Sequence, residues 1–296
     1  MKMVRFVQVA RPVAIALTAV AMLAACAPDV APKYRIPDRL GFNFRWSAEP
    51  GVGLTTDAAI IARAFMESAF ISYETHHIDS DRPEPNEYSY PGYERAYPRL
   101  GADEMVIGGI TMAGLGPDGV VGTFYAHMLE VKTVESAQPQ TAQDSPPEWQ
   151  ATMCVWVDAL DLNFKPNNEL TANTHTAEAG YYPFMNYGSG PHESGTGRTV
   201  RLTMQQPPAG RQGRLSSGEG SARYPTTNVF GEWKITKANM TDSGPGAGAD
   251  SGGAVNICAD RLDNPVPSEL RNRDYQAKSD VPAPTLDPYP GWPAHQ

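Results

Sequence analysis

Residues 55–72 read Thr-Thr-Asp-Ala-Ala-Ile-Ile-Ala-Arg-Ala-Phe-Met-Glu-Ser-Ala-Phe-Ile-Ser, and this stretch decides the fold. Apolar residues recur in it at intervals of three and four, which is the period of an amphipathic helix. Thr55 or Thr56 is a suitable N-cap, and Asp57 is favourable in a first turn because its charge faces the positive end of the helix dipole. The pattern therefore predicts a helix over Leu54–Ser72 that packs against a core.

Strand patterns dominate the chain after this helix. Alternating apolar stretches are typical of strands with one buried face, and such strands usually pair antiparallel. Loops rich in Pro, Gly and Ser separate them, and the Tyr- and Pro-rich segment 73–100 predicts turns and short helical pieces outside the core. We expect an α+β fold in which the N-terminal helix packs on a curved antiparallel sheet. The predicted strands are 121–134, 148–163, 199–205, 229–239 and a last one near 255–259.

The helix Thr55–Ser72 and the segment Gly231-Glu-Trp-Lys-Ile235 together resemble the nuclear-transport-factor-2-like (NTF2-like, or SnoaL-like) superfamily. A Trp followed by Lys or Arg and an apolar residue is common near the last strands of that superfamily. The resemblance covers residues 50–260 and implies a cone-shaped α+β barrel whose sheet wraps on the helix. The whole chain also resembles uncharacterised actinobacterial lipoproteins, which implies no particular activity.

The N-terminal 25 residues have the features of an export signal. A basic, acid-free start is followed by an apolar run from Pro12 to Leu23, which is too short to span a bilayer as a helix. The run ends in Leu23-Ala-Ala-Cys26, which resembles the lipobox of bacterial lipoproteins. The resemblance implies cleavage before Cys26 and diacylglycerol attached to its thiol, with two acyl chains for firm anchoring. The alternative is an ordinary signal followed by a chance cysteine.

The predicted domain organisation follows from these segments. Residues 1–25 are a lipoprotein signal peptide, and 26–49 form a lipidated tether because the stretch after Cys26 is rich in proline and lacks a helix or strand pattern. Residues 50–260 form the α+β domain. Prolines and charges dominate residues 261–296, which we expect to be a disordered tail.

The charge balance excludes some partners. The whole chain carries −9, and the only charged residues of the signal segment are Lys2, Arg5 and Arg11, so its removal takes the mature chain to −12. Such an acidic chain is not expected to bind nucleic acid or to dock on anionic lipid by charge. Lipid on Cys26 is therefore the predicted membrane contact.

The two remaining cysteines, Cys154 and Cys258, form an even pair in a chain predicted to be exported. Disulfides persist in that compartment, so we expect a bridge between them. It would close a loop of roughly a hundred residues and tie the end of the domain to its core. Two buried free thiols are the alternative.

His127 is the candidate acid/base residue of the sequence. Alternation places it on one face of its strand with Tyr125 and Leu129. If that face lines the cone, His127 and Asp158 or Asp161 of the next strand form a cavity pair suited to proton transfer. The alternative is a structural histidine with satisfied hydrogen bonds. No residue is assigned a catalytic role, and no metal or cofactor is predicted.

Three other groups carry weaker signals. His76, His77, Asp79 and Asp81 could ligate a metal but lack helical His spacing, so a solvated helix end is favoured. The segment Asp250-Ser-Gly-Gly253 resembles a serine-protease nucleophile loop, but no histidine has a matching setting, and a glycine-rich loop is favoured. An aromatic group could contact a glycan or a protein, or fasten a loop to the barrel; it comprises Tyr181, Tyr182, Phe184 and Tyr187.

These observations predict a membrane-anchored lipoprotein of the bacterial cell envelope. Its domain is expected to bind an envelope protein or a small ligand without catalysis. The alternatives are an NTF2-like enzyme that uses the cavity pair of His127 and an aspartate, and a structural accessory subunit of an envelope complex. Phosphate loops and dinucleotide fingerprints are absent from the sequence.

Overall fold

The computed structural model describes residues 34, 36–75, 88–97, 105–106, 119–134, 146–164, 179–184, 197–208, 215, 217–241, 256–259, 261–271, 273–274 and 277–294. Cys26, the cluster at His76–Asp81, Tyr187 and Ser251 lie outside these residues. No helix in the described ranges combines the length and the hydropathy needed to cross a membrane.

The predicted helix is present as α1, Asp57–Thr75. Its start is stabilised by Thr56, whose hydroxyl donates to the carbonyl of Gly53 and whose carbonyl accepts from the amide of Ile60. The helix is buried on all sides from residue 58 to 72 and not on one face alone. Even its charged residues Arg63 and Glu67 are buried, so the helix is the centre of the core.

A second, one-turn helix and eight strands make up the rest of the described regular structure. Helix α2 is Tyr93–Ala96, and a single 3-10 turn covers Ser268–Leu270. The strands are β1 Leu40–Ala48, β2 Met105–Val106, β3 Gly119–Thr133, β4 Glu148–Trp156, β5 Leu160–Phe164, β6 Gly180–Pro183, β7 Arg198–Gln205 and β8 Lys234–Thr241. All eight belong to one sheet, so the predicted α+β class with a helix on an antiparallel sheet is confirmed.

The long strand β3 organises the sheet. Its antiparallel partners β4 and β5 follow one another along one edge, with Tyr125 opposite Trp156 and Gly122 opposite Leu160. The single strand predicted over 148–163 is thus interrupted only by residues 157–159. A side chain at Gly122 would meet the carbonyl oxygen of Ala159 at 2.2 Å, and its φ of +113° also favours glycine.

Strand β1 was not predicted. It pairs parallel with β3 over its whole length, from Leu40 opposite Val120 to Ala48 opposite Met128. The prediction of a tether over 26–49 is therefore wrong for residues 40–48. The run Phe42-Asn-Phe-Arg-Trp46 alternates as a half-buried strand does, and its aromatic side chains are buried against the helix.

Aromatic side chains occupy the space between α1 and the sheet. Phe70 of the helix contacts Phe42, Phe44, Phe124 and Phe184 at ring-centroid distances of 4.7–6.2 Å. Several of these pairs are edge-to-face, the geometry that aromatic quadrupoles favour. A single helical side chain, that of Phe70, therefore contacts β1, β3 and the residue that follows β6.

One segment predicted to lie outside the core belongs to it. Tyr90 and Tyr93 are fully buried, and the amide of Tyr90 donates to the hydroxyl of Ser68 on α1. The prediction that residues 73–100 contribute no core element is therefore wrong for 90–97. The strand predicted near 255–259 is also wrong, because residues 257–259 form a turn.

The predicted disordered tail is also wrong, because residues 277–294 form an extended segment bonded to the sheet. The amide of Ala283 donates to Asp161, and the hydroxyl of Thr123 donates to the carbonyl of Pro284. Further along, Tyr289 exchanges backbone hydrogen bonds with Phe44 and Trp46 of β1. The prolines of this segment suit it, since an extended chain that bonds only at intervals does not need every amide donor.

The tail ends in a buried polar cluster on α1. Trp292 is 1 % exposed, and its indole donates to Oε2 of Glu67 at 2.8 Å. The same carboxylate accepts from the indole of Trp46 at 2.7 Å and from the hydroxyl of Tyr90 at 2.8 Å. Arg63, one turn earlier, lies over the Trp292 ring with its guanidinium carbon 4.9 Å from the ring centroid. We call these five residues the Glu67 cluster.

Replacing Trp292 with Phe tests whether the tail is part of the core. The ring is retained, but Glu67 loses one of its three donors, so we expect the free energy of unfolding to fall by about 1–3 kcal/mol. Urea denaturation followed by circular dichroism measures it. Trp149→Phe is the matched control, because the Trp149 indole donates to the half-buried Gln206 and not to a buried charge. Equal midpoints for the two variants would contradict the role given to Trp292.

Candidate functional site

His127 lies on the outer face of the sheet, away from α1. Its neighbours in the strand, Ala126 and Met128, pack in the core beside the helix, whereas Tyr125 and Leu129 pack in a separate cluster with the cysteines. Alternation along β3 places His127 with the second set, as the sequence indicates. The hypothesis that this face lines the cone is wrong, and with it the cavity pair of His127 and an aspartate.

The two aspartates have other partners. Asp161 is 1 % exposed in its side chain and forms an ion pair with Arg273 at 2.6 Å. Its second oxygen accepts from the amide of Ala283. Asp158 is buried, and its carbonyl accepts from the same Arg273 guanidinium. Both residues therefore lie where the tail crosses β5.

The imidazole of His127 is oriented by Ser47 on the parallel strand β1. The two residues are register partners, and Ser47 Oγ lies 2.7 Å from Nδ1. The Ser47 hydroxyl is also 3.4 Å from the carbonyl oxygen of Ala126, to which it can donate. Its oxygen can then accept from Nδ1–H, and in the neutral tautomer that carries this proton the lone pair is on Nε2.

The opposite ring nitrogen faces two carboxylates. His127 Nε2 lies 3.5 Å from Oε1 of Glu49 and 3.9 Å from Oδ2 of Asp263. His127 as a whole is 8 % exposed, and this nitrogen is buried without a hydrogen-bond partner. Glu49 follows β1 directly and is held by its amide, which donates to the carbonyl of Met128.

Arg261 completes the group. Its guanidinium forms an ion pair with Glu49 and another with Asp263, and its Nε donates to Asp263 at 2.7 Å. These hydrogen bonds lower the pKa of both carboxyl groups below their ordinary values, so both are ionised at neutral pH. We call Glu49, His127, Arg261 and Asp263 the outer-face cluster.

Within the outer-face cluster, the donor atoms of three side chains come close enough together to hold a metal ion. One donor atom each from Glu49, His127 and Asp263 lies within 4.8 Å of the others. Glu49 and Asp263 were missed in the sequence because they fall in the predicted tether and tail. The usable signal was the alternation of residues 42–46, which predicts a strand that ends just before Glu49.

Beside this cluster the structure contains the predicted bridge between Cys154 of β4 and Cys258. Its surroundings are Tyr125, Trp156 and Val266, all buried. The turn at Cys258 is also bonded to the start of β7, because Asn256 accepts from the hydroxyl of Thr199.

The predicted aromatic group is divided by the structure. Phe184 is a core residue in contact with Phe70, whereas Tyr181 and Tyr182 are half-buried on β6. Tyr181 exchanges backbone hydrogen bonds with Ser279 of the tail. These residues therefore fasten neighbouring segments, as in the alternative left open for them.

Comparisons of the chain with protein-family models, with curated proteins and with solved structures found no match.

Proposed function

We propose that the protein is a lipoprotein of the bacterial cell envelope, anchored on the outer face of a membrane through lipid on Cys26. The observation that carries the proposal is the bridge between Cys154 and Cys258. Structural disulfides form and persist in oxidising compartments and are rare in the cytosol. The sequence before Cys26 supplies the matching export signal.

Binding is the activity that we propose for the domain. The enzyme alternative required His127 to meet an aspartate between helix and sheet, but His127 lies on the outer face and Asp161 is paired with Arg273. The space beside the helix is occupied by aromatic side chains around Phe70. This arrangement fits a binding surface for an envelope protein on the outside of the domain better than an active site enclosed between the helix and the sheet. The kinship to NTF2-like proteins also stays a proposal, supported by the helix packed on a curved sheet.

The anchor is tested by Cys26→Ala. Without the thiol no thioether to diacylglycerol can form, so we expect the variant to leave the membrane fraction or to remain unprocessed precursor, and to lose incorporation of labelled palmitate. Membrane fractionation and metabolic labelling measure both effects. Ala25→Ser is the control, because it keeps a small residue at the cleavage site and Cys26 intact. Mature, labelled Cys26→Ala protein in the membrane fraction would refute the anchor.

The binding role is tested in the same cells by mild chemical cross-linking of the wild-type protein. We expect a discrete cross-linked species that contains a second envelope protein. Recovery of the lipoprotein alone, at cross-linker doses that capture a known envelope complex, would count against this role.

A further inference from the structure

We propose that the outer-face cluster is a binding site for a divalent transition-metal ion of the zinc type, held by Nε2 of His127 and by one carboxylate oxygen each of Glu49 and Asp263. The proposal goes beyond the envelope function and does not depend on the lipid anchor.

The spacing of the three donors suits such an ion. Zinc binds His nitrogen and carboxylate oxygen at about 2.0–2.2 Å, so tetrahedral ligands lie about 3.3–3.5 Å apart. His127 Nε2 is 3.5 Å from the Glu49 oxygen and 3.9 Å from that of Asp263. All three donor atoms lie within 4.8 Å of one another, and the half-exposed side chain of Asp263 has room to rotate toward the other two. A mixed set of one imidazole and two carboxylates is chemically suited to zinc, manganese or iron(II).

The buried nitrogen of His127 points to a cation at this position. Nε2 lies 3.5 Å from the Glu49 carboxylate and 3.9 Å from that of Asp263, has no hydrogen-bond partner, and is shielded from solvent. A buried polar atom in this state costs free energy unless a ligand compensates it. Ser47 on the other ring nitrogen supplies the oxygen partner that metal-binding histidines usually have, which fixes the ring and its tautomer.

In this arrangement Arg261 competes with the metal ion for the carboxylates of Glu49 and Asp263. Its guanidinium is the cation that now neutralises Glu49 and Asp263, and about a quarter of its side chain is exposed. When the metal binds, the guanidinium leaves the carboxylates for solvent and the ion takes its place. Two carboxylates and a neutral imidazole then balance the two positive charges of the ion.

The test is titration of the purified full-length protein with Zn²⁺ by calorimetry, with Co²⁺ absorption as a second readout. His127→Gln should weaken binding at the site by at least about tenfold, since it removes a ligand. Arg261→Gln should do the opposite and tighten it several-fold, because the competing cation is gone. Asp263→Asn, at a half-exposed position, is the second ligand variant and preserves the core if His127→Gln disturbs folding.

The double variant His76→Gln with His77→Gln is the control for the other histidine pair of the sequence. It should leave the affinity for Zn²⁺ and the Co²⁺ spectrum of the site unchanged. Unaltered affinity in both His127→Gln and Asp263→Asn, loss of binding in the control, or weaker binding in Arg261→Gln would each overturn the proposal. Cys26→Ala should not change the affinity, so failure of the anchor and failure of the metal site are distinguishable.

Discussion

Replacing Glu67 with Ala is expected to lower the free energy of unfolding by about 3–5 kcal/mol, because three buried donors lose their acceptor at about 1–3 kcal/mol each. The carboxylate is 1 % exposed and is the acceptor for three donors from three separate parts of the chain. Without it two indoles and a phenol lose their acceptor, and the guanidinium of Arg63 loses the electrostatic influence of a carboxylate. Burial raises the pKa of Glu67, and the charge of Arg63 and the three donors oppose that shift.

Urea denaturation of wild type and variant measures this effect, with Glu94→Ala as the matched control. Glu94 is an exposed glutamate on α2, where a surface substitution changes stability by no more than about 0.5 kcal/mol. A Glu67→Ala midpoint equal to that of Glu94→Ala would contradict the cluster's role.

The second large effect is expected from the double variant Cys154→Ala with Cys258→Ala. The bridge spans 104 residues, and in the chain-entropy model a loop of that length restricts the unfolded chain by about 4–5 kcal/mol at 25 °C. The variant also removes the covalent link between β4 and the turn that leads to Asp263. We expect a lower urea midpoint and an unfolding free energy reduced by that amount.

Chemical reduction provides the control for this prediction. Wild type treated with dithiothreitol should unfold at the midpoint of the double variant, whereas the variant itself should not respond to the reductant. A wild type whose midpoint is the same with and without reductant would show that the bridge contributes nothing to stability. In native oxidised protein, mass spectrometry should find the peptides of Cys154 and Cys258 joined.

Local patterns in the sequence predicted the elements whose packing is local. The helix was placed correctly because its period is clear, and β3, β4 with β5, and β7 followed from alternation. The strand predicted over 229–239 is only partly right, because β8 begins at Lys234. The sequence also grouped His127 with Tyr125 and Leu129 on one face of β3. It could not say which face meets the helix, because alternation has the same form on both sides of a strand.

The missed features depend on contacts between distant residues. Trp292 and Glu67 are 225 residues apart in the chain, and Asn43 and Leu286 are separated by 243. The composition of residues 277–294, rich in proline and charge, is typical of a disordered tail. The segment is ordered by its hydrogen bonds to β1 and α1, which its composition does not reveal. Parallel pairing of β1 with β3 likewise has no local signature, so Glu49 could not be placed beside His127 from sequence.

The backbone bonds between Tyr289 and β1 have a consequence for association between molecules. One edge of β1 pairs with β3, and without the tail the other would expose free amide and carbonyl groups of an aromatic-rich strand. Such edges are templates on which a second chain can add a strand and start aggregation. The tail covers this edge. Its prolines leave it few backbone amides that could donate to another chain. The tail thus occupies the position at which a second copy of the chain could add a strand to β1.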